Sequence, residues 1–288
     1  MLDGMETVDC PYCHADHPDP WGIENGFTAV KCGDCGLVYV NPRPSLRGIS
    51  DATRLGQHKI GTGQVDVAYT RSTRKMRRYA RRIQAMYGAE IFAGKPIRWL
   101  DIGAGFGELV EALATVLPPG SEIAGIEPMA RKVASARSRG LAVSDADLDS
   151  IDRDYDVVSI VNILSHLPDP DAFIARVARL VRPGGSLYLV TGNGGDLDSR
   201  TEYPDRLDLP DHLLFAGEAH IEGFLKRHGL VVEERDARRL DTPLWMAKGL
   251  VKRAIGRSAH VAIPYRSRFR DVSFKARKVS RPFGANHV

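Results

Sequence analysis

The run Trp99-Leu100-Asp101-Ile102-Gly103-Ala104-Gly105-Phe106-Gly107-Glu108, answered by an acid at Gly125-Ile126-Glu127, constrains this 288-residue chain more than any other stretch. The apolar residues from Ile97 to Ile102 suit a buried strand, and Glu108 to Leu117 has the spacing of an amphipathic helix. The glycines between them make a tight turn whose backbone can approach a ligand. The spacing is GxGxG, and the position a dinucleotide fingerprint fills with Gly or Ala is Glu108. A carboxylate in the first helical turn also occupies the positive end of the helix dipole, which leaves a poor site for a pyrophosphate. The turn is therefore expected to hold a nucleoside ligand without phosphate, on an α/β fold.

These residues resemble motif I of the class I S-adenosylmethionine (SAM) methyltransferases. The resemblance implies a Rossmann-like domain with a seven-stranded sheet. It also places Asp101, Gly103, Ala104, Gly105, Phe106, Glu127, Pro128, Asp147, Leu148 and Asn162 around the cofactor. Glu127 matches the acid that accepts both ribose hydroxyls. Further matches follow in order: a helix through Arg139 stopped by Gly140, a strand at 141–144, and Asp145-Ala146-Asp147-Leu148 as the adenine loop. Asp156 to Asn162 then forms the fourth strand, and Leu180-Val181-Arg182-Pro183-Gly184-Gly185 is similar to the family's turn into the fifth. Two paired strands near 230–238 and 270–277 close the sheet. The resemblance runs from about position 70 to about 280.

The four cysteines of the chain fall as Cys10-Pro-Tyr-Cys13 and Cys32-Gly-Asp-Cys35, two CxxC pairs with 18 residues between them. Two such turns aim four thiolates at one tetrahedral Zn²⁺, and a site with four sulfurs is closed and structural. His14 and His17 lie close by and are expected to be bystanders. The module ends near Asn41-Pro42-Arg43-Pro44, giving a zinc-ribbon-like unit at 1–44. The CxxC, CxxCG and NPRP arrangement is similar to the front of bacterial methyltransferases that modify sugars in polysaccharide and natural-product pathways.

Residues 45–70 are rich in Gly, Ser, Thr and Asp and are expected to form a linker or lid, before a catalytic domain at 71–288. In that domain, Arg71 to Ile83 places Met76, Tyr79, Ile83 and Met86 on one helical face and the basic residues on the other. Such a face can be solvated, or it can attract a phosphate-bearing acceptor such as a nucleotide sugar or RNA. An insertion at about 239–267 carries the basic amphipathic segment Leu244 to Ile255, expected to cover the substrate; a membrane-surface helix is the other reading weighed. With a net charge of +4 and no run of apolar residues long enough to span a bilayer, a soluble, cytoplasmic protein is expected. Oligomeric state is left open.

Methyl transfer to a hydroxyl is an in-line displacement that gains from removal of the acceptor's proton. His166 in Ser165-His166-Leu167-Pro168-Asp169-Pro170 matches a family motif after the fourth strand, and His212 in Pro210-Asp211-His212-Leu213 lies in the loop before the next helix. Both are candidate bases, with Asp211 or Asp208 orienting an imidazole. Ser165 replaces a common Glu, so positions 162–166 offer no carboxylate ligand and no catalytic Mg²⁺ is expected. Asn193, and more weakly Tyr203 and Arg206, are candidates for holding the acceptor. The combined expectation is O-methylation of a sugar hydroxyl, free, nucleotide-linked or in a glycan. The alternative is an RNA methyltransferase gripping nucleic acid with the zinc module and basic helix.

Overall fold

The two CxxC turns sit at the base of a small antiparallel sheet whose tip is a tight hairpin. Strands β1 (Met5–Glu6), β2 (Pro18–Glu24), β3 (Phe27–Cys32), β4 (Val38–Val40) and β5 (Arg43–Pro44) make up this front part of the chain. Asn25 and Gly26 join β2 to β3 with φ of 52° and 80°, the left-handed pair a two-residue hairpin loop needs. Helix α1 (Leu46–Leu55) follows, capped by the Ser45 hydroxyl at its start and by left-handed Gly56 at its end. Strands β6 (Gln57–Ile60) and β7 (Gly63–Asp66) form a hairpin after it. This computed structural model describes residues 4–60, 63–66, 70–256, 261 and 263–279. Parts of the expected linker (61–62 and 67–69) and insertion (257–260 and 262) lie outside the described residues. The described part of 45–66 is helix α1 and the paired strands β6 and β7.

The rest of the chain alternates strand and helix. Its elements are α2 (Thr73–Phe92), β8 (Arg98–Ile102), α3 (Glu108–Val116), β9 (Glu122–Ile126), α4 (Ala130–Arg137), β10 (Val143–Ser144), β11 (Tyr155–Val161) and α5 (Pro170–Leu180). After them come β12 (Val181–Gly192), β13 (Leu214–Phe215), α6 (Glu218–Arg227), β14 (Leu230–Arg239), α7 (Pro243–Ala254) and β15 (Arg270–Lys278). Seven strands share one mixed sheet in the order β10-β9-β8-β11-β12-β15-β14, antiparallel only where β15 inserts between β12 and β14. This is the Rossmann-like methyltransferase fold.

Alternation along the central strands fixes the layers. Trp99, Val157, Tyr188 and Val190 face Tyr79, Ile83, Met86 and Tyr87 of α2 and Leu109 and Leu113 of α3. Leu100, Ile102, Val158, Ile160, Leu187 and Leu189 face the other way, toward Ile174 and Val177 of α5 and Phe224 and Leu225 of α6. The apolar stripe of the basic helix is thus core. Its Arg82 is buried against Asp271 at 2.6 Å, and Arg71, just before the helix, bonds Glu111 at 2.7 Å.

The front module does not stand apart. Strand β13, from the catalytic domain, pairs with β4 (Leu214 with Tyr39, Phe215 with Val38) and completes a four-stranded sheet β13-β4-β3-β2. Tyr12, between the first two cysteines, packs edge-on against His220 and Phe224 of α6, and His220 donates from Nε2 to the Cys35 carbonyl at 2.9 Å.

Candidate active site

The strand-to-turn junction at β8 builds the floor of the site. Gly103 sits at φ +67°, and a Cβ there would come within 2.5 Å of Ile163 Cδ1. Gly107 at φ +82° is the left-handed residue that starts α3, where a Cβ would meet Leu141 at 2.7 Å. Glycine is required at both places for conformation and for space. Glu127 leaves the end of β9 and anchors the turn: its Oε2 accepts the Gly105 N–H at 2.9 Å and its Oε1 accepts that of Met129 at 3.1 Å. Each oxygen keeps a lone pair for a further donor. Glu108 accepts the Ser72 N–H at 3.1 Å, so the carboxylate at the start of α3 holds the start of α2.

Asp101 lies beneath this turn. Burial drives its carboxyl up to about 7, even though the Ser159 hydroxyl donates to it at 2.6 Å; the neighbouring charges of Glu127 and Glu108 push the same way. Ser159 in turn accepts from the Trp99 indole at 2.9 Å.

Above the turn lies one cavity of about 890 Å³. Asp101, Gly103, Ala104, Gly105, Glu127, Pro128 and Asn162 line it, and so do His166 and His212. Phe106, Asp147 and Leu148 lie outside its lining; Asp147 instead caps a 3₁₀ turn by accepting the Asp149 N–H at 3.0 Å. Asn193 is also committed elsewhere, and its expected acceptor role is corrected. It is buried, its Oδ1 accepts the Arg270 N–H at 2.6 Å, and its Nδ2 donates to Glu218. Tyr203 and Arg206 do line the cavity.

Further lining residues come from α1 in the expected linker or lid, from the basic helix and from the insertion expected to cover the substrate, while Asp271 carried no sequence signal. Ile49, Ser50 and Thr53 of α1, Lys75 and Arg78 of α2, Trp245 of α7 and Asp271 of β15 reach the cavity from elements distant in sequence. The Arg78 Nε is buried without a hydrogen-bond partner, and its guanidinium lies 5.7 Å from the centre of the Tyr79 ring. Charge at the start of a helix preceding β8 was the one local clue to it.

His166 and His212 meet at the far end of the cavity, their rings edge to face with centroids 4.9 Å apart. His166 ends a 3₁₀ turn after β11; its Nδ1 donates to the Asp211 carbonyl at 2.8 Å and lies 3.4 Å from the Asp211 carboxylate. His212 donates from Nδ1 to the Leu207 carbonyl at 2.8 Å. In the neutral rings this leaves the lone pair on each Nε2. Burial alone would lower the pKa of His166, but the Asp211 carboxylate outweighs it and raises that pKa above the ordinary value. Burial, with His166 beside it, drives His212 down to about 4.

The loop holding both imidazole partners is itself gripped by the front module. Glu24 at the end of β2 accepts the N–H groups of Leu207 at 3.0 Å and Asp208 at 2.7 Å. Asn25 donates to the Leu209 carbonyl at 2.6 Å. On the other side, Val40 donates to the Leu213 carbonyl at 2.8 Å and Leu213 to that of Ser165 at 2.6 Å.

The four cysteine sulfurs converge within 4.8 Å of one another, with Cys10–Cys35 and Cys13–Cys32 pairs at 3.5 Å. Tetrahedral Zn–S bonds of about 2.3 Å put sulfurs about 3.8 Å apart, so the cluster fits a zinc ion. Burial pushes the Cys10 thiol up to about 11. Cys32 is held at about 7 because the backbone N–H groups of Cys35 and Asp34 outweigh its own burial. His14 and His17 are exposed, and His17 bonds Asp34 at 2.7 Å.

A Rossmann-like sheet of this order, a glycine turn after its first strand and an acid after its second define a class I SAM-dependent methyltransferase. The chain belongs to the methyltransferase domain family, which it matches over residues 70–235. It is 27% identical over 203 residues to the ubiquinone biosynthesis O-methyltransferase of Rhodopseudomonas palustris, covering 62% of this chain and 72% of that one. The enzyme of the same name from Xanthomonas oryzae pv. oryzae is 36% identical over 106 residues, 33% of this chain and 43% of its own length. Among solved structures, a Galdieria sulphuraria protein described as a candidate sarcosine dimethylglycine methyltransferase superimposes with a TM-score of 0.53 at 18% identity. That match covers 72% of this chain and 86% of that one. The YcgJ protein of Bacillus subtilis gives a TM-score of 0.50 at 16% identity over 69% of this chain and all of its own. These structural likenesses show the fold.

Proposed function

We propose that this methyltransferase moves the SAM methyl group onto a hydroxyl of a small-molecule acceptor, with His166 taking the proton. The observation that carries this reading is the His166–Asp211 pair at the wall of the same cavity that Gly103, Gly105 and Glu127 floor. Glu127 offers two oxygens to the ribose hydroxyls, and Arg78 offers its guanidinium to the methionine carboxylate. The acceptor hydroxyl attacks the methyl carbon, the sulfur keeps the electrons of the broken S–CH₃ bond, and the hydroxyl proton passes to Nε2 of His166. The Asp211 carboxylate holds the ring and balances the imidazolium that forms.

A sugar hydroxyl is the acceptor class we favour. The acceptor half of the cavity combines Asp205, Arg206, Asp208 and Asp211 with the faces of Tyr203, Phe215 and Trp245, groups suited to a polyol ring. The O-methyl chemistry in the relatives' names agrees with a hydroxyl acceptor. Cys10, Cys13, Cys32 and Cys35 would hold a structural zinc, and the chain would divide into a zinc-bearing front and a methyltransferase domain. The test is mass-spectrometric detection of methyl transfer from labelled SAM to panels of sugars, nucleotide sugars and phenols. His166→Ala should abolish turnover while calorimetry shows SAM still bound. Full turnover by that variant would end the base assignment, and failure of the wild type to bind SAM would end the cofactor assignment.

A further inference from the structure

Helix α7 is built inside out. At 100° per residue, Leu244, Ala247, Leu250, Val251, Ala254 and the capping Ile255 occupy one half of its circumference, while Trp245, Met246 and Gly249 occupy much of the other. Only the second group packs on the domain: Gly249 is buried and Trp245 lines the cavity. The apolar half faces outward, with Leu244 65%, Val251 61% and Ile255 62% exposed. Of ten large apolar side chains exposed among the described residues, six lie between Leu244 and Tyr265. A helix on a water-exposed surface would turn this stripe inward. Lys248 and Lys252, both exposed, border the apolar half along one side, and exposed Arg253 follows.

We propose that α7 is a membrane-docking helix that lies in the surface of an anionic phospholipid bilayer. Its outward apolar half sits among the upper acyl chains, and Lys248, Lys252 and Arg253 reach lipid phosphates. The basic border selects this occupant over a second copy of the chain, because a self-paired α7 would bring the same cations together. Trp245 and Leu240 line the cavity beside this helix, so docking would set the catalytic mouth at the bilayer surface, where an acceptor carried on a lipid could enter. The inference is independent of which hydroxyl is methylated.

The experiment is sedimentation of the 288-residue protein, purified in the presence of zinc, with vesicles of phosphatidylcholine alone and of phosphatidylcholine mixed equally with phosphatidylglycerol. The protein should bind the anionic vesicles and not the neutral ones, and added salt should weaken binding. Lys248→Glu with Lys252→Glu should lower affinity at least about 30-fold, the effect of losing two basic side chains near the surface. A triple variant, Leu244→Ser, Val251→Ser and Ile255→Ser, should lose binding while keeping the wild-type circular dichroism and SAM affinity. Absence of wild-type binding to anionic vesicles would overturn the proposal. So would wild-type binding by the triple variant, or a dimer in ultracentrifugation that the triple variant abolishes.

Discussion

Replacing Glu24 tests whether the front module sets the geometry of the imidazoles from a distance. Its carboxylate accepts two backbone N–H groups of the loop that supplies the His212 partner at Leu207. In Glu24→Ala the N–H of Leu207, a residue with no exposed surface, is left without an acceptor, at about 1–3 kcal/mol; that of Asp208 can turn to water. Loss of a charged acceptor adds about 1 kcal/mol, and relief of repulsion between Glu24 and Asp208, whose carboxyl burial drives up to about 6, returns part of it. A net cost near 3 kcal/mol lowers the ordered-to-disordered ratio of the loop by about 150-fold. The glycine turn and Glu127 are held by other elements, so calorimetry should give a SAM affinity close to wild type. The imidazole nitrogen signals of His212 in NMR should lose their Nδ1–H signature, and acceptor turnover should fall, by at most about two orders of magnitude. Glu24→Gln, which keeps one acceptor oxygen, should recover part of both. Unchanged His212 signals in Glu24→Ala, or SAM affinity falling in step with turnover, would refute the reasoning.

Glu127→Ala should weaken SAM binding at least about 100-fold in calorimetry, because the two charge-assisted bonds proposed to the ribose would go with it. Asp101 keeps a proton in the native state that the unfolded chain loses near pH 4, so its contribution to stability is full below that pH and is lost as pH rises through about 7. Melting of the SAM-free protein should therefore show a contribution from Asp101 that lowers the midpoint between about pH 4 and pH 7, and Asp101→Asn should flatten that slope. With His166 as the proposed base, the acid limb of kcat/KM should lie above the ordinary histidine value, and Asp211→Asn should move it to lower pH. Chelation of zinc, followed by metal analysis and melting, should remove one equivalent and lower the midpoint, with Cys13→Ser giving the same result.

The catalytic sheet was readable because its signals are local: the run from Trp99 to Glu108 carries strand, turn and helix start in ten residues. The stripe Met76, Tyr79, Ile83 and Met86 was equally plain. The acceptor half was readable only in part. His166 and His212 stood out by type, but nothing near either one reports that their rings touch across 46 residues of chain, from 166 to 212. Asn193 misled because its position after a strand end matched an acceptor role, whereas a backbone N–H from Arg270 had claimed its oxygen. Glu24 and Asn25 carried no sign of their role in the sequence, since their partners lie more than 180 positions away. In α7 the amphipathic pattern was legible and its direction was not, because a helical wheel does not say which half meets the protein.

The pairing of β4 with β13 also imposes a timetable. Tyr39 leaves the ribosome about 175 residues before its partner Leu214, a delay of about 10–35 s at about 5–20 residues per second. Throughout that interval β4 is an unclosed edge, and the β2–β3–β4 pairing and the four cysteines are what can organise the front of the chain before the rest is made. Early metal capture would thus hold the nascent N-terminus in register until the strand beside the histidine loop arrives to complete it.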